Sequence, residues 1–216
     1  MGNLTRRVWV CGLAILLLAS SAFAETTAPA ATKKLVFLGD SLAAGYGVKK
    51  EEAFPALIAA KVRAAGLPYE VENAGLSGDT TAGGLRRLDW LLQRSIDVLV
   101  IELGGNDGLR GLPVSATKMN LQAIIEKAKA KNPSARIVVA GMQIPPNLGA
   151  EYASSFQHAF GEVAQANGAT LIPFLLEGVG GIRDLNQADS IHPTPAGHRI
   201  IAEVVWKTLE PLLRQG

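Results

Sequence analysis

Four short blocks of this chain carry residue types that acyl transfer from an ester requires. They are Gly39-Asp40-Ser41-Leu42, the glycine-bearing run Asn73 to Thr80, Gly104-Gly105-Asn106-Asp107, and Asp189-Ser190-Ile191-His192. Such chemistry needs a nucleophile, a base, a group to orient the base, and donors for the oxyanion. A serine in a turn commonly does no more than cap the next helix. Here Ser41 has the other parts in company, and it is the candidate nucleophile.

A hydroxyl is a weak nucleophile at neutral pH and needs a histidine. The chain has three. His158 and His198 fall within helical patterns and read as surface or structural residues. His192 precedes Pro193, which biases it toward extended backbone. Asp189, three residues upstream, can reach the ring nitrogen that faces away from serine, fixing the tautomer and supporting the imidazolium. Asp184 is the rival acid. For the oxyanion, Ser41 offers its N–H and Asn106 its side-chain amide. A glycine N–H in the second block would complete the set, because backbone must approach substrate without a Cβ. Gly75 and Gly78 compete for that place. Asp40, Asp79 and Asp107 read as local stabilisers of their turns.

These blocks need a scaffold that brings distant segments together. Strand patterns occur at Lys34–Leu38, Tyr69–Asn73, Asp97–Leu103, Arg136–Gly141 and Thr170–Phe174, bounded by Gly, Pro or Asn. Helical patterns lie between them at Phe54–Ala65, Thr80–Gln93, Ala116–Lys131 and Ala153–Asn167. A last helix starts at Thr194-Pro195, a cap residue followed by proline in the first turn. Strands alternating with helices predict right-handed βαβ units and one three-layer α/β/α domain on a five-stranded parallel sheet. The first three strands each end in one of the polar turns, so those turns meet at one sheet edge. Helix amino termini gather there too, favouring negative charge. Trp90 and Trp206 sit in helical patterns and read as packing residues.

The first residues carry an address. Arg6-Arg7, the apolar run Val8 to Leu18 and the A-x-A site Ala22-Phe23-Ala24 make residues 1–24 a signal peptide, too short for a permanent span. The expected location is periplasmic or secreted. Residues 25–32 read as a flexible N-terminus and 33–216 as the domain. The one cysteine, Cys11, lies in the signal, so the mature chain has no disulfide and rests on its own core. Removing the signal takes Lys+Arg from 21 to 19, against 19 Asp+Glu. A balanced charge gives no reason to expect a nucleic-acid partner or an anionic membrane surface.

The blocks together resemble the GDSL/SGNH hydrolase family, and the resemblance spans nearly the whole mature chain. Gly39 to Leu42 matches, extending through Ala43-Ala44-Gly45-Tyr46. Ser77 to Thr80 matches and gives the oxyanion role to Gly78. Gly104 to Asp107 and Asp189 with His192 complete the set. The longer runs are similar to exported bacterial multifunctional esterases. That resemblance implies a flavodoxin-like sheet and a small-molecule or lipid ester substrate: an acyl-CoA thioester, a lysophospholipid or an aryl ester. No metal or other cofactor is expected, since there is no H-E-x-x-H and the histidines lack ligand spacing. The elbow G-x-S-x-G is absent at Ser41, so the α/β-hydrolase fold is not expected. The alternative is a non-catalytic domain that binds a polar ligand at the same edge of a flavodoxin-like scaffold. The loop Met142 to Gly149 leaves the sheet on that edge, and Ile144 and Leu148 are its candidates for contact with an acyl chain.

Overall fold

The computed structural model describes residues 1–2 and 32–215. Apart from Met1, Gly2 and Thr32, the expected signal peptide and the segment 25–32 lie outside the described residues. Five strands form one parallel sheet: β1 (Lys33–Gly39), β2 (Tyr69–Gly75), β3 (Val98–Glu102), β4 (Arg136–Ala140) and β5 (Thr170–Ile172). Their order is β2-β1-β3-β4-β5, the flavodoxin-like order. All five residues of β3 are buried because helices cover both faces of the sheet.

The helices are α1 (Ser41–Ala44), α2 (Phe54–Ala64), α3 (Thr81–Leu91), α4 (Gly105–Leu109), α5 (Val114–Lys131), α6 (Ala150–Ala166) and α7 (Pro195–Arg214). α2 packs with α7, while α3 packs with α5 and α5 with α6, giving a helical layer on each face. Phe37 of β1 meets Phe54 of α2 edge to face at 5.5 Å. α7 starts as expected: the Thr194 hydroxyl accepts from Gly197 N–H at 3.3 Å, with Pro195 in the first turn. Among the described residues, no helix is long and apolar enough to cross a membrane.

Some boundaries move. β5 stops at Ile172 rather than Phe174, because Pro173 has no N–H to extend the ladder. α6 begins at Ala150, three residues before the periodic pattern, and α5 begins at Val114 directly after Pro113. The short α1 and α4 carry no usable hydrophobic period. They form because a strand ends against a polar turn.

His198 is structural. It is 1 % exposed, and its Nδ1 accepts the N–H of Phe54 at 3.3 Å, tying the start of α2 to α7. Burial lowers its pKa from 6.5 to about 4. The folded protein therefore holds it neutral at a pH where the unfolded chain is already protonated. The group therefore leaves stability unchanged above 6.5 and costs progressively more as pH falls toward 4. The full loss is about 3 kcal/mol. Urea midpoints at neutral pH and near the lower limit should differ more for the wild type than for His198→Gln, which keeps an acceptor without a titrating ring. An equal loss in both proteins would assign the acid sensitivity elsewhere.

Candidate active site

The three polar turns emerge level with one another because of sheet register. Gly39 pairs with Gly75 on one side and with Glu102 on the other. β1 thus lies between β2 and β3, at the point where the strand order reverses, which is where open α/β sheets bind ligands.

Ser41 is the first residue of α1. The Asp40 carboxylate caps that helix, its Oδ1 accepting Leu42 N–H at 3.0 Å. Gly45 ends the helix after one turn with φ +75°, and a side chain there would strike Ala53. The serine is left at the edge of the sheet, its Oγ 2.9 Å from His192 Nε2. His192 Nδ1 lies 2.7 Å from Asp189 Oδ2. Asp189 Oδ1 accepts the N–H groups of Ile191 at 2.9 Å and His192 at 3.0 Å. Those backbone donors, helped by the imidazole, hold the Asp189 carboxyl down at about 2. Between them Ser190 adopts φ +60°, the one positive φ among described non-glycine residues. A tight loop that must aim both a carboxylate and a ring stores this strain. The rival acid, Asp184, has an exposed side chain that bonds to no described residue.

Two of the oxyanion candidates have free N–H groups. Neither Ser41 nor Gly78 donates its N–H to any described residue. Gly78 has φ +83°, and a Cβ there would meet nothing nearer than Arg110 Nη2 at 4.0 Å, which itself donates to the Gly78 carbonyl at 3.0 Å. Gly75 is different. Its N–H is given to Asn73 Oδ1 at 2.9 Å, and a Cβ there would lie 2.3 Å from Ala44 N. Gly75 permits close packing of α1 on β2 and has no donor to spare. Asn106, in α4, donates from Nδ2 to the Asp79 carbonyl at 2.9 Å and to Asp40 Oδ2 at 3.2 Å. Asp79 pairs with Arg87 at 2.5 Å, and Asp107 accepts from both the backbone and the hydroxyl of Thr81. Both brace their turns.

Beside these groups lies a cavity of about 420 Å³, within the size range of small-molecule sites. Ser41, Asn106 and His192 supply polar groups. Leu109, Met142, Ile144, Phe174, Leu176 and Ile191 supply apolar wall. Ile144 reaches it because Gly108 leaves room for its Cγ2, where a Cβ would come within 2.6 Å. Leu148 is not on the cavity wall; it is 44 % exposed, and its Cδ1 faces Gly111. The 3₁₀ turn Pro146–Leu148 carries it outward.

Two neighbours of the site take roles that the sequence does not assign them. The Tyr46 ring packs against His192 with centroids 4.5 Å apart. Gln187 Nε2 donates to the carbonyls of Tyr46 at 2.7 Å and Pro193 at 3.0 Å, clasping the histidine loop to the turn after α1. Neither residue has a spacing signal, because each acts across the fold.

Serine, histidine and aspartate in hydrogen-bonded succession on a parallel α/β sheet form the constellation of serine hydrolases. Comparison with known proteins agrees. Residues 37–200 match the GDSL-like lipase/acylhydrolase family. Esterase TesA of Pseudomonas aeruginosa is 43 % identical over 201 residues, covering 93 % of this chain and 99 % of the relative. Thioesterase 1/protease 1/lysophospholipase L1 of Escherichia coli K12 is 37 % identical over 185 residues, covering 85 % and 86 %. The crystal structure of the psychrotrophic esterase EstA from Pseudoalteromonas sp., inhibited by monoethylphosphonate, superposes with a TM-score of 0.79 at 36 % identity, covering 84 % of this chain and 99 % of that one. The chain belongs to the GDSL-like lipase/acylhydrolase family and is an ester-hydrolysing enzyme. A purely ligand-binding role on this scaffold is thereby set aside.

Proposed function

We propose that the protein is an exported serine esterase that works through a covalent acyl-enzyme. The hydrogen-bonded relay from Asp189 through His192 to Ser41, at 2.7 and 2.9 Å, carries this reading. Ser41 Oγ attacks the ester carbonyl while His192 Nε2 takes its proton. The negative charge that develops on the carbonyl oxygen meets the N–H groups of Ser41 and Gly78 and the Asn106 amide. Asn106 trades its longer hydrogen bond, to Asp40, for the oxyanion. His192 then protonates the leaving group, and water releases the acid by the same steps in reverse. Asp189, anionic throughout, holds the ring and balances the imidazolium.

Acyl chains with aryl alcohol, coenzyme A thiol or lysophospholipid leaving groups are the proposed substrates. The apolar cavity supports the acyl half, and the names of the relatives support the range. Export is supported by the signal pattern in residues 1–24, and a mature protein recovered outside the cytoplasm should begin at Glu25. The function is tested by turnover of p-nitrophenyl butyrate together with fluorophosphonate labelling. The label should map to Ser41, and labelling elsewhere or none at all would end the proposal.

Chain length provides a second check. A wall contact contributes up to about 0.8 kcal/mol for each methylene it shields. Ile144→Asn should therefore lower kcat/KM for long p-nitrophenyl esters more than for the acetate. Leu148→Asn should leave the chain-length profile nearly unchanged, since Leu148 is off the wall. A uniform drop for Ile144→Asn would mean that this side chain does not read acyl length.

A further inference from the structure

β3 reads Val98-Leu99-Val100-Ile101-Glu102, and its last residue is a fully buried carboxyl group packed against the serine turn. Glu102 Oε2 accepts two backbone donors from the serine turn, Asp40 N–H at 3.3 Å and Ala43 N–H at 3.1 Å. The other donors of that turn are also occupied. Leu42 N–H goes to Asp40 Oδ1 at 3.0 Å, and Ala44 N–H to the Asp40 carbonyl at 2.9 Å. From Asp40 to Ala44, Ser41 alone keeps its N–H free of any described partner.

We propose that Glu102 is a positioning residue that binds the N–H groups of Asp40 and Ala43, so that only the Ser41 N–H of this turn faces the substrate oxygen. This rests on the acyl-enzyme mechanism proposed above. Two further observations support it. A Cβ at Gly39 would stand 2.5 Å from Glu102 Oε2, so the glycine that opens the serine block clears space for this carboxyl. Glu102 Oε1 is buried without a partner, which an ionised carboxylate tolerates poorly. Burial, and the Asp40 carboxylate nearby, push Glu102 well above the usual carboxylate range. Both influences disfavour the charged form, and Oε2 is the oxygen turned to the backbone.

An acceptor oxygen can be replaced by that of an amide but not by a hydrocarbon. Glu102→Gln should keep kcat for p-nitrophenyl butyrate within about 3-fold, with an unchanged acid limb in the pH profile. Glu102→Leu should lower kcat per folded molecule about 100-fold with little change in KM, as loss of an oxyanion donor does. Full kcat in folded Glu102→Leu, or equal damage in both variants, overturns the proposal. Amide hydrogen exchange in the wild type needs no variant. Asp40, Leu42 and Ala43 should exchange at least about 100-fold more slowly than Ser41. A Ser41 amide as protected as its neighbours also overturns it. Fluorophosphonate labelling separates the two proposals. If wild type and Glu102→Leu label Ser41 equally fast, the Glu102 role fails and the mechanism stands; if wild-type Ser41 does not label, both fail.

Discussion

Replacing Ser41 with alanine is expected to lower kcat by roughly 10⁵- to 10⁶-fold, the scale on which a serine triad acts as a unit. The free N–H groups of Ser41 and Gly78 survive the change, because both belong to the backbone. Residual catalysis of about 10³-fold over water should therefore remain. Stability should shift by no more than about 1 kcal/mol, since the hydroxyl has one hydrogen bond, to His192. Pre-steady-state turnover of p-nitrophenyl butyrate, with the thermal midpoint measured on the same sample, checks both halves. Activity within tenfold of wild type would remove Ser41 from the reaction.

His192→Ala should be nearly as damaging, and Asp189→Ala less so by one to two orders of magnitude, roughly the difference seen when only the orienting acid is lost. The physical reason is that the base remains in the second variant but is poorly held. Its Nδ1 partner is gone, and so is the carboxylate that anchors the backbone of Ile191 and His192. Asp184→Ala should be close to neutral. In the wild type, kcat/KM should fall on the acid side as the imidazole takes up a proton. Asp189 does not contribute to that limb. Its depressed pKa stabilises the fold above 3.8 and is lost only as pH falls toward 2. A flat profile between roughly pH 5 and 8 would exclude a histidine base.

Much of the site is legible in the sequence because its chemistry is local. Ser41 follows a buried strand, and Asp189 and His192 sit in one tight loop where three residues of spacing set their contact. Asn106 stands behind two glycines that a close-packed turn needs, one of which, Gly104, has φ +121° and lies against Phe160. Periodicity places the core of every long helix and of all five strands, since burial on a helix or in a sheet leaves a repeating mark. The ends fail where the mark stops: β5 at Pro173, and α5 and α6 at turns whose geometry, not hydrophobicity, begins the helix.

The sequence alone determines the alternation of strands and helices, the four blocks, and thereby the class of reaction. It leaves Gly75 and Gly78 as chemical equals. The folded structure separates them, because the pairing of β2 with β1 sets Gly75 against α1 while the Asn73 side chain takes its N–H. Ile144 and Leu148 likewise look alike in one dimension, until the turn at Pro146–Leu148 directs one inward and the other outward. Glu102, Tyr46 and Gln187 make these contacts with residues 59 to 146 positions away only because the folded sheet edge collects them. A hydrogen bond needs its partners within about 3 Å, and for distant segments only the packed tertiary structure sets that distance.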